Sequence, residues 1–203
     1  PVGEVTYKGN ELTYDVAGRL FGNPMSAKGR VDLAPGSGDY TVSLKAASLP
    51  YEVIGKNLPF TDVTVGVAAE RGTVAYDIAA DIFGGALTLK GTTDTTKKPA
   101  RHQGELRVNA ARFRQFAQTY SPGYETEGDL TGDFKFTALQ GDWQALMGTG
   151  TAIIVNGNLY AIPIIGPLTS LLTALIPSPI KGYNVAKEAN CTFRVEDGFI
   201  VTD

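Results

Sequence analysis

The sequence predicts a mostly β protein, an antiparallel sheet built of repeated hairpins with one or two short amphipathic helices. Three observations carry this. Apolar residues alternate with polar ones at period two along most of the chain. Glycine, often beside Asn or Asp, punctuates the runs where tight turns are needed. A pattern of residues also returns further along, as Tyr14-Asp15 and Tyr76-Asp77, Phe21-Gly22 and Phe83-Gly84, Lys28-Gly29 and Lys90-Gly91, all at one offset.

The strands read off in order. Leu12, Tyr14, Val16 and Leu20 share a face against Thr13, Asp15 and Arg19. Tyr40, Val42 and Leu44 form the next such set, then Val63, Val65 and Val67. Val74, Tyr76, Ile78 and Ile82 oppose Asp77 and Asp81. Leu106 aligns with Val108, Phe134 with Phe136, and Cys191 with Phe193 and Val195. One-sided alternation marks antiparallel strands with a single apolar face. Turns are expected at Gly9-Asn10, Gly22-Asn23-Pro24, Gly36-Ser37-Gly38, Gly84-Gly85, Asn156-Gly157 and Asp197-Gly198. No βαβ rhythm is present.

A first helix is expected within "AARFRQFAQTY", where Phe113, Phe116 and Tyr120 fall on one side and Ser121-Pro122-Gly123 ends it. A second lies in the least polar stretch, Asn156 to Tyr183, whose one charge is Lys181. Pro163, Pro167, Pro177 and Pro179 cut that stretch into pieces too short to cross a bilayer, which takes roughly 20 residues of continuous helix. Between Pro167 and Pro177, the residues Leu168, Leu171, Leu172, Leu175 and Ile176 make one apolar stripe at helical spacing. The other side, Thr169, Ser170, Thr173 and Ala174, carries no charge, so the helix is expected to be largely covered. We expect a lid or capping helix at about 167–176 that closes a core or gates a lipid path.

The bounds exclude several classes. The chain has 203 residues, a net charge of -3 and a pI near 5.2, which is poor for broad attraction to nucleic acid. Cys191 is the only cysteine, so no disulfide forms within the chain. The opening Pro1 reads as the first residue of an excised fragment, with any export signal or anchor lying upstream. His102, the only histidine, sits in the basic stretch "KKPARHQGE", expected as a loop between strands, without a nucleophile nearby in sequence. Cys191 lies on the apolar side of its strand, where a thiol behaves as a small hydrophobe. The carboxylates Glu125, Glu127, Asp129 and Asp133 do not have calcium-loop spacing. No phosphate loop, nucleophile elbow, dinucleotide fingerprint or zinc cluster appears. We therefore expect no catalytic residue, no metal and no cofactor. The apolar sheet face, with Leu12, Tyr14, Val16, Val74, Tyr76, Ile78, Phe134 and Phe136, is the expected contact surface.

The last third has a further texture. Gly128-x-x-x-Gly132, Gly148-x-Gly150 and Asn156-Gly157-x-Leu159 are followed by Ile162-Pro163 and the Leu-rich piece. Phe193-x-Val195-x-Asp197-Gly198 and a terminal "IVTD" come after them. In this order the phrases resemble the C-terminal region of the AsmA-like family, relatives of TamB and other repeating β-groove proteins of diderm bacteria. The resemblance is strong from about Ala110 to Asp203 and looser before it. It implies a curved, taco-like β groove with an apolar interior. It also implies an inner-membrane anchor outside this sequence, a periplasmic location, and phospholipid carriage towards the outer membrane or support of its assembly. The family offers no active-site residues to carry over. On this basis residues 1–203 are expected as a single AsmA-like β domain. The internal repeat covers 12–71 and 74–127, and a C-terminal unit 128–203 holds the capping helix. The alternative is a structural β domain that binds another envelope protein through a strand edge or the "TKKPARHQ" stretch. A carbohydrate enzyme is the third and least supported class.

Overall fold

A computed structural model describes residues 2–53, 55–120, 126–157 and 187–202, with the side chains of Val53 and Trp143 left aside. The predicted class, a mostly β chain on a curved antiparallel sheet of hairpins, is the observed class. Twelve strands are described: β1 (Val2–Lys8), β2 (Glu11–Leu20), β3 (Asn23–Asp32), β4 (Tyr40–Val53), β5 (Lys56–Glu70), β6 (Thr73–Ile82), β7 (Gly85–Asp94), β8 (Arg101–Arg112), β9 (Asp129–Leu139), β10 (Asp142–Val155), β11 (Ala189–Glu196) and β12 (Phe199–Thr202). Their hydrogen-bonded order is their order in the chain, and the sheet is not closed, with β1 and β12 the first and last of the described strands. The helix expected around Phe113 is present as α1 (Phe113–Tyr120). The helix expected at about 167–176, with Leu168, Leu171, Leu172, Leu175 and Ile176, lies outside the described residues.

The chain divides into two compact units, Pro1–Ile82 with Thr88–Gly104, and Phe83–Leu87 with Glu105–Asp203. The first holds β1 to β6 with most of β7 and the start of β8. Its buried centre is small, Ala46, Val63 and Ala80, with Met25, Leu44, Leu49, Phe60 and Val65 against it. The β4–β5 hairpin outruns its neighbours: β4 pairs with β3 only as far as Ala46, while with β5 it continues to Val53. Pro50 and Pro59 face each other in that overhang. A proline lacks the N–H that a second neighbour would need, and here there is no second neighbour to either strand. In the second unit Phe113 and Ile154 are fully buried, and the first residue of α1 is held by a hydrogen bond of 2.8 Å that the Phe113 N–H donates to the Gly128 carbonyl.

The sequence repeat has a physical content. Phe21-Gly22 and Phe83-Gly84 each have positive φ at both positions, 49° and 81° in the first and 53° and 73° in the second. These are the central residues of primed hairpin turns, whose twist matches the flanking strands. The turn expected at Gly22-Asn23-Pro24 is thus one residue earlier, and Asn23 and Pro24 already belong to β3. Likewise the second turn is Phe83-Gly84, and Gly85 opens β7. The Tyr-Asp and Lys-Gly ends of the pattern lie on adjacent strands. Tyr14 is opposite Gly29 and Asp15 opposite Lys28. In the second copy Lys90 Nζ reaches Asp77 Oδ2 at 2.8 Å.

Candidate functional site

The period-two alternation becomes a set of rows once the strands are in register. Across β1 to β6, Tyr7, Leu12, Val31, Tyr40, Ala69 and Val74 stand side by side. The next row is Val5, Tyr14, Gly29, Val42, Val67 and Tyr76, and the one after it Gly3, Val16, Ala27, Leu44, Val65 and Ile78. No Asp, Glu, Lys, Arg or His falls in these three rows. The reverse face alternates its charges, as in Glu4, Asp15, Lys28, Ser43, Gly66 and Asp77. The predicted contact residues Leu12, Tyr14, Val16, Val74, Tyr76 and Ile78 are therefore brought together on one side of this unit. All six are half-buried.

Glycines on this face are seats for rings. A side-chain carbon on Gly29 would come within 2.5 Å of the Tyr14 hydroxyl oxygen, and one on Gly91 within 2.6 Å of Tyr76 Cζ. Both tyrosine rings lie flat across the neighbouring strand, covering backbone that has no side chain of its own. Burial pushes the Tyr76 phenol above its ordinary pKa. Where β3, β4 and β5 meet, an open hollow of about 450 Å³ is floored by Met25, Ala46 and Val63, with Lys45 and Asp62 among its lining residues.

The second unit repeats the scheme with phenylalanine. Phe136, Gly148, Val195 and Ile200 form one row, and Phe134, Gly150 and Phe193 the next. Phe134 stacks on Phe136 and on Phe193, with ring centroids 5.7 Å apart in each case. Its ring edge and that of Phe193 overlie Gly148 and Gly150, where a side-chain carbon would come within 2.7 Å and 2.5 Å of them. The predicted pair Phe134 and Phe136 is thus joined by Phe193, and all three are half-buried. Beside the stack, Phe113, Phe116, Leu106 and Val108 bound a hollow of about 140 Å³. Phe116 also meets Phe83 edge-on at 6.0 Å and Tyr120 at 5.4 Å. The spacing in the sequence pointed to the faces. It did not point to the ring seats, whose one signal is a glycine on the apolar side of a strand facing an aromatic.

Among the described residues, the polar side chains that the sequence singles out make separate contacts. His102 lies in β8 rather than in a loop, and its Nδ1 is 2.8 Å from Thr93 Oγ1. Cys191 is buried, and burial is the main cause that raises its thiol pKa, which keeps it protonated and unreactive at neutral pH. Asp133 accepts a hydrogen bond from Thr151, and Asp129 one from Asn156 Nδ2 at 3.3 Å. Among the described residues no cluster of three or more His, Cys, Asp or Glu could hold a metal ion, and no helix is long and apolar enough to cross a membrane.

The site is thus of one kind: broad apolar faces on open antiparallel strands, paved by rings lying over glycines. No protein-family model, curated protein or solved structure matches the chain.

Proposed function

We propose that the chain is a non-catalytic lipid-handling module of a diderm envelope. In this reading it works in the periplasm, tethered to the inner membrane by a part of the protein outside this sequence, and carries phospholipid or supports outer-membrane assembly. The observation that carries the reading is the row structure of the apolar faces. Three adjacent rows in the first unit hold no ionised side chain, yet their large residues are half-buried or, for Val5 and Tyr7, exposed. An acyl chain needs a track without unpaired polar groups, and strand backbones satisfied by their neighbours supply one. Each methylene covered contributes about 0.8 kcal/mol, so a few turns of contact hold a chain without fixing its headgroup. The motif order in the last third supports the same class.

The test is extraction and native mass spectrometry of the purified chain, followed by uptake of lipid from phosphatidylethanolamine–phosphatidylglycerol vesicles. The expected result is co-purified or acquired acyl lipid, lost in Val67→Glu while the far-UV circular dichroism is unchanged. A folded chain that neither carries lipid nor takes it up overturns the proposal. It leaves the structural domain that binds another envelope protein.

A further inference from the structure

The apolar rows of the first unit run into a polar corner. Lys90 bonded to Asp77, with Gly91 under the Tyr76 ring, fixes the antiparallel register of β6 and β7. That register sets Thr93 beside Val74 on the apolar side, because side chains two apart in a strand share a face. His102 of β8 joins them there, its Nδ1 2.8 Å from Thr93 Oγ1. The row of Leu12, Val31, Tyr40, Ala69 and Val74 thus runs on into a half-buried hydroxyl and a half-buried imidazole.

Just beyond them the chain turns from β7 to β8. The stretch from Thr95 to Gly104 holds Lys97, Lys98 and Arg101 and no carboxylate, in a chain whose net charge is -3. Both lysines are exposed, and none of the three cations has an ion-pair partner within 4.0 Å among the described residues. Asp94, the carboxylate nearest to Lys97 in sequence, is taken up by Thr96, whose N–H and hydroxyl both donate to it. Those bonds, more than Lys97 nearby, lower its pKa. The turn is also anchored. The Thr95 N–H and hydroxyl both donate to the Gly72 carbonyl at 2.8 Å, and Ala100 is buried.

We propose that this turn binds the phosphate of an anionic phospholipid whose acyl chains lie along the rows. The proposal rests on the lipid reading above and adds a headgroup to it. The apolar face alone does not choose among headgroups. A phosphate cannot lie on that face, since burying an ionised group without partners is costly. It has to leave the face where donors stand. When Thr93 donates to Nδ1, His102 keeps an Nε2–H to offer, and each lysine offers three N–H groups. Hydrogen bonds from ammonium to phosphate are about twice as strong as neutral ones. Arg101, on the other side of β8 from His102, adds to the positive field. A zwitterionic headgroup brings its own cation to the same place, where like charges repel. The corner therefore favours phosphatidylglycerol over phosphatidylcholine.

Calorimetry with dihexanoyl lipids below their micelle concentration, at about 0.15 M salt, tests this without a membrane surface. Dihexanoyl phosphatidylglycerol is expected to bind about fivefold more tightly than dihexanoyl phosphatidylcholine, the effect of two exposed ion pairs. Lys97→Gln combined with Lys98→Gln brings the two affinities together and leaves phosphatidylcholine binding unchanged. Lys28→Gln combined with Lys90→Gln removes the same charge from the reverse face and keeps the preference. Circular dichroism checks that both variants are folded. Equal binding of the two lipids by the native chain overturns the headgroup site while the lipid reading stands. Binding of neither overturns both. Loss of the preference in the reverse-face pair as well overturns the site, since the general field of the protein then accounts for it. So does glycerol phosphate binding as tightly as the dihexanoyl phosphatidylglycerol, which assigns the turn to a free anion.

Discussion

Phe21 and Phe83 occupy equivalent turn positions and are held differently. Both have φ near +50°, a conformation that costs a bulky side chain about 1–2 kcal/mol and that Asn tolerates. Phe83 recovers part of this by meeting Phe116. Phe21 is 68% exposed and has no ring neighbour among the described residues. Phe21→Asn is therefore expected to raise stability by about 0.5–1 kcal/mol, while Phe83→Asn lowers it, as read from urea midpoints. The ring seats give a second expectation. Gly29→Val drives a side chain into Tyr14 and the Thr41 carbonyl, and Gly91→Val does the same to Tyr76 and the Gln103 carbonyl. Each is expected to cost about 1–3 kcal/mol. In Tyr14→Ala the penalty of Gly29→Val shrinks without vanishing, because the carbonyl remains; a double-mutant cycle measures the difference.

At the scale of elements, the loop between β3 and β4 is tied by Asp32. Its carboxylate accepts from the Ala34 N–H at 2.9 Å and from the Ser37 hydroxyl at 2.7 Å. Those bonds, the backbone one first, hold the Asp32 pKa below its ordinary value. A depressed folded pKa gives stability that is present above the unfolded value, about 3.9, and lost as pH falls through the folded one. The loop is thus expected to loosen only in acid below that range. NMR titration of the Ala34 amide reads it, and Asp32→Asn should remove that step.

The elements also show how far the sequence could be read. The strand faces and α1 were legible because each signal is periodic and local: Val74, Tyr76 and Ile78 cannot change sides without moving Asp77 inward. Turn chemistry favours Asn over Phe and so points to Gly22-Asn23-Pro24, but strand pairing puts the turn one residue earlier, at Phe21-Gly22. The basic neighbours of His102 point to a loop, yet it lies in β8 and contacts Thr93 of β7. The seat of Phe193 over Gly150 was not legible, since it depends on a register that spacing alone does not state.

For the molecule as a whole, the uneven exposure of the two faces is the defining property. A closed sandwich shows the same alternation but hides its large apolar residues. Here Tyr14, Val16, Tyr76, Phe134 and Phe193 are only half-buried. The native chain is therefore expected to bind a hydrophobic dye such as ANS while keeping its near-ultraviolet dichroism, the reverse of a molten state, which loses that signal. Phe134→Asp is expected to weaken the dye signal, and added phospholipid to compete with it. Native protein without dye fluorescence would show that these faces are sheltered.

Because the strands hydrogen-bond in the order in which they are made, each one finds its first partner already in place when it is translated. From β1 to β8 each strand is joined to its partner by a short connection, the least costly kind of loop closure, whereas β11 reaches β10 only after residues 156–188. Growth can then proceed from the N-terminal side one hairpin at a time, like a fabric lengthened row by row. A chain interrupted partway would leave a shorter sheet of the same weave.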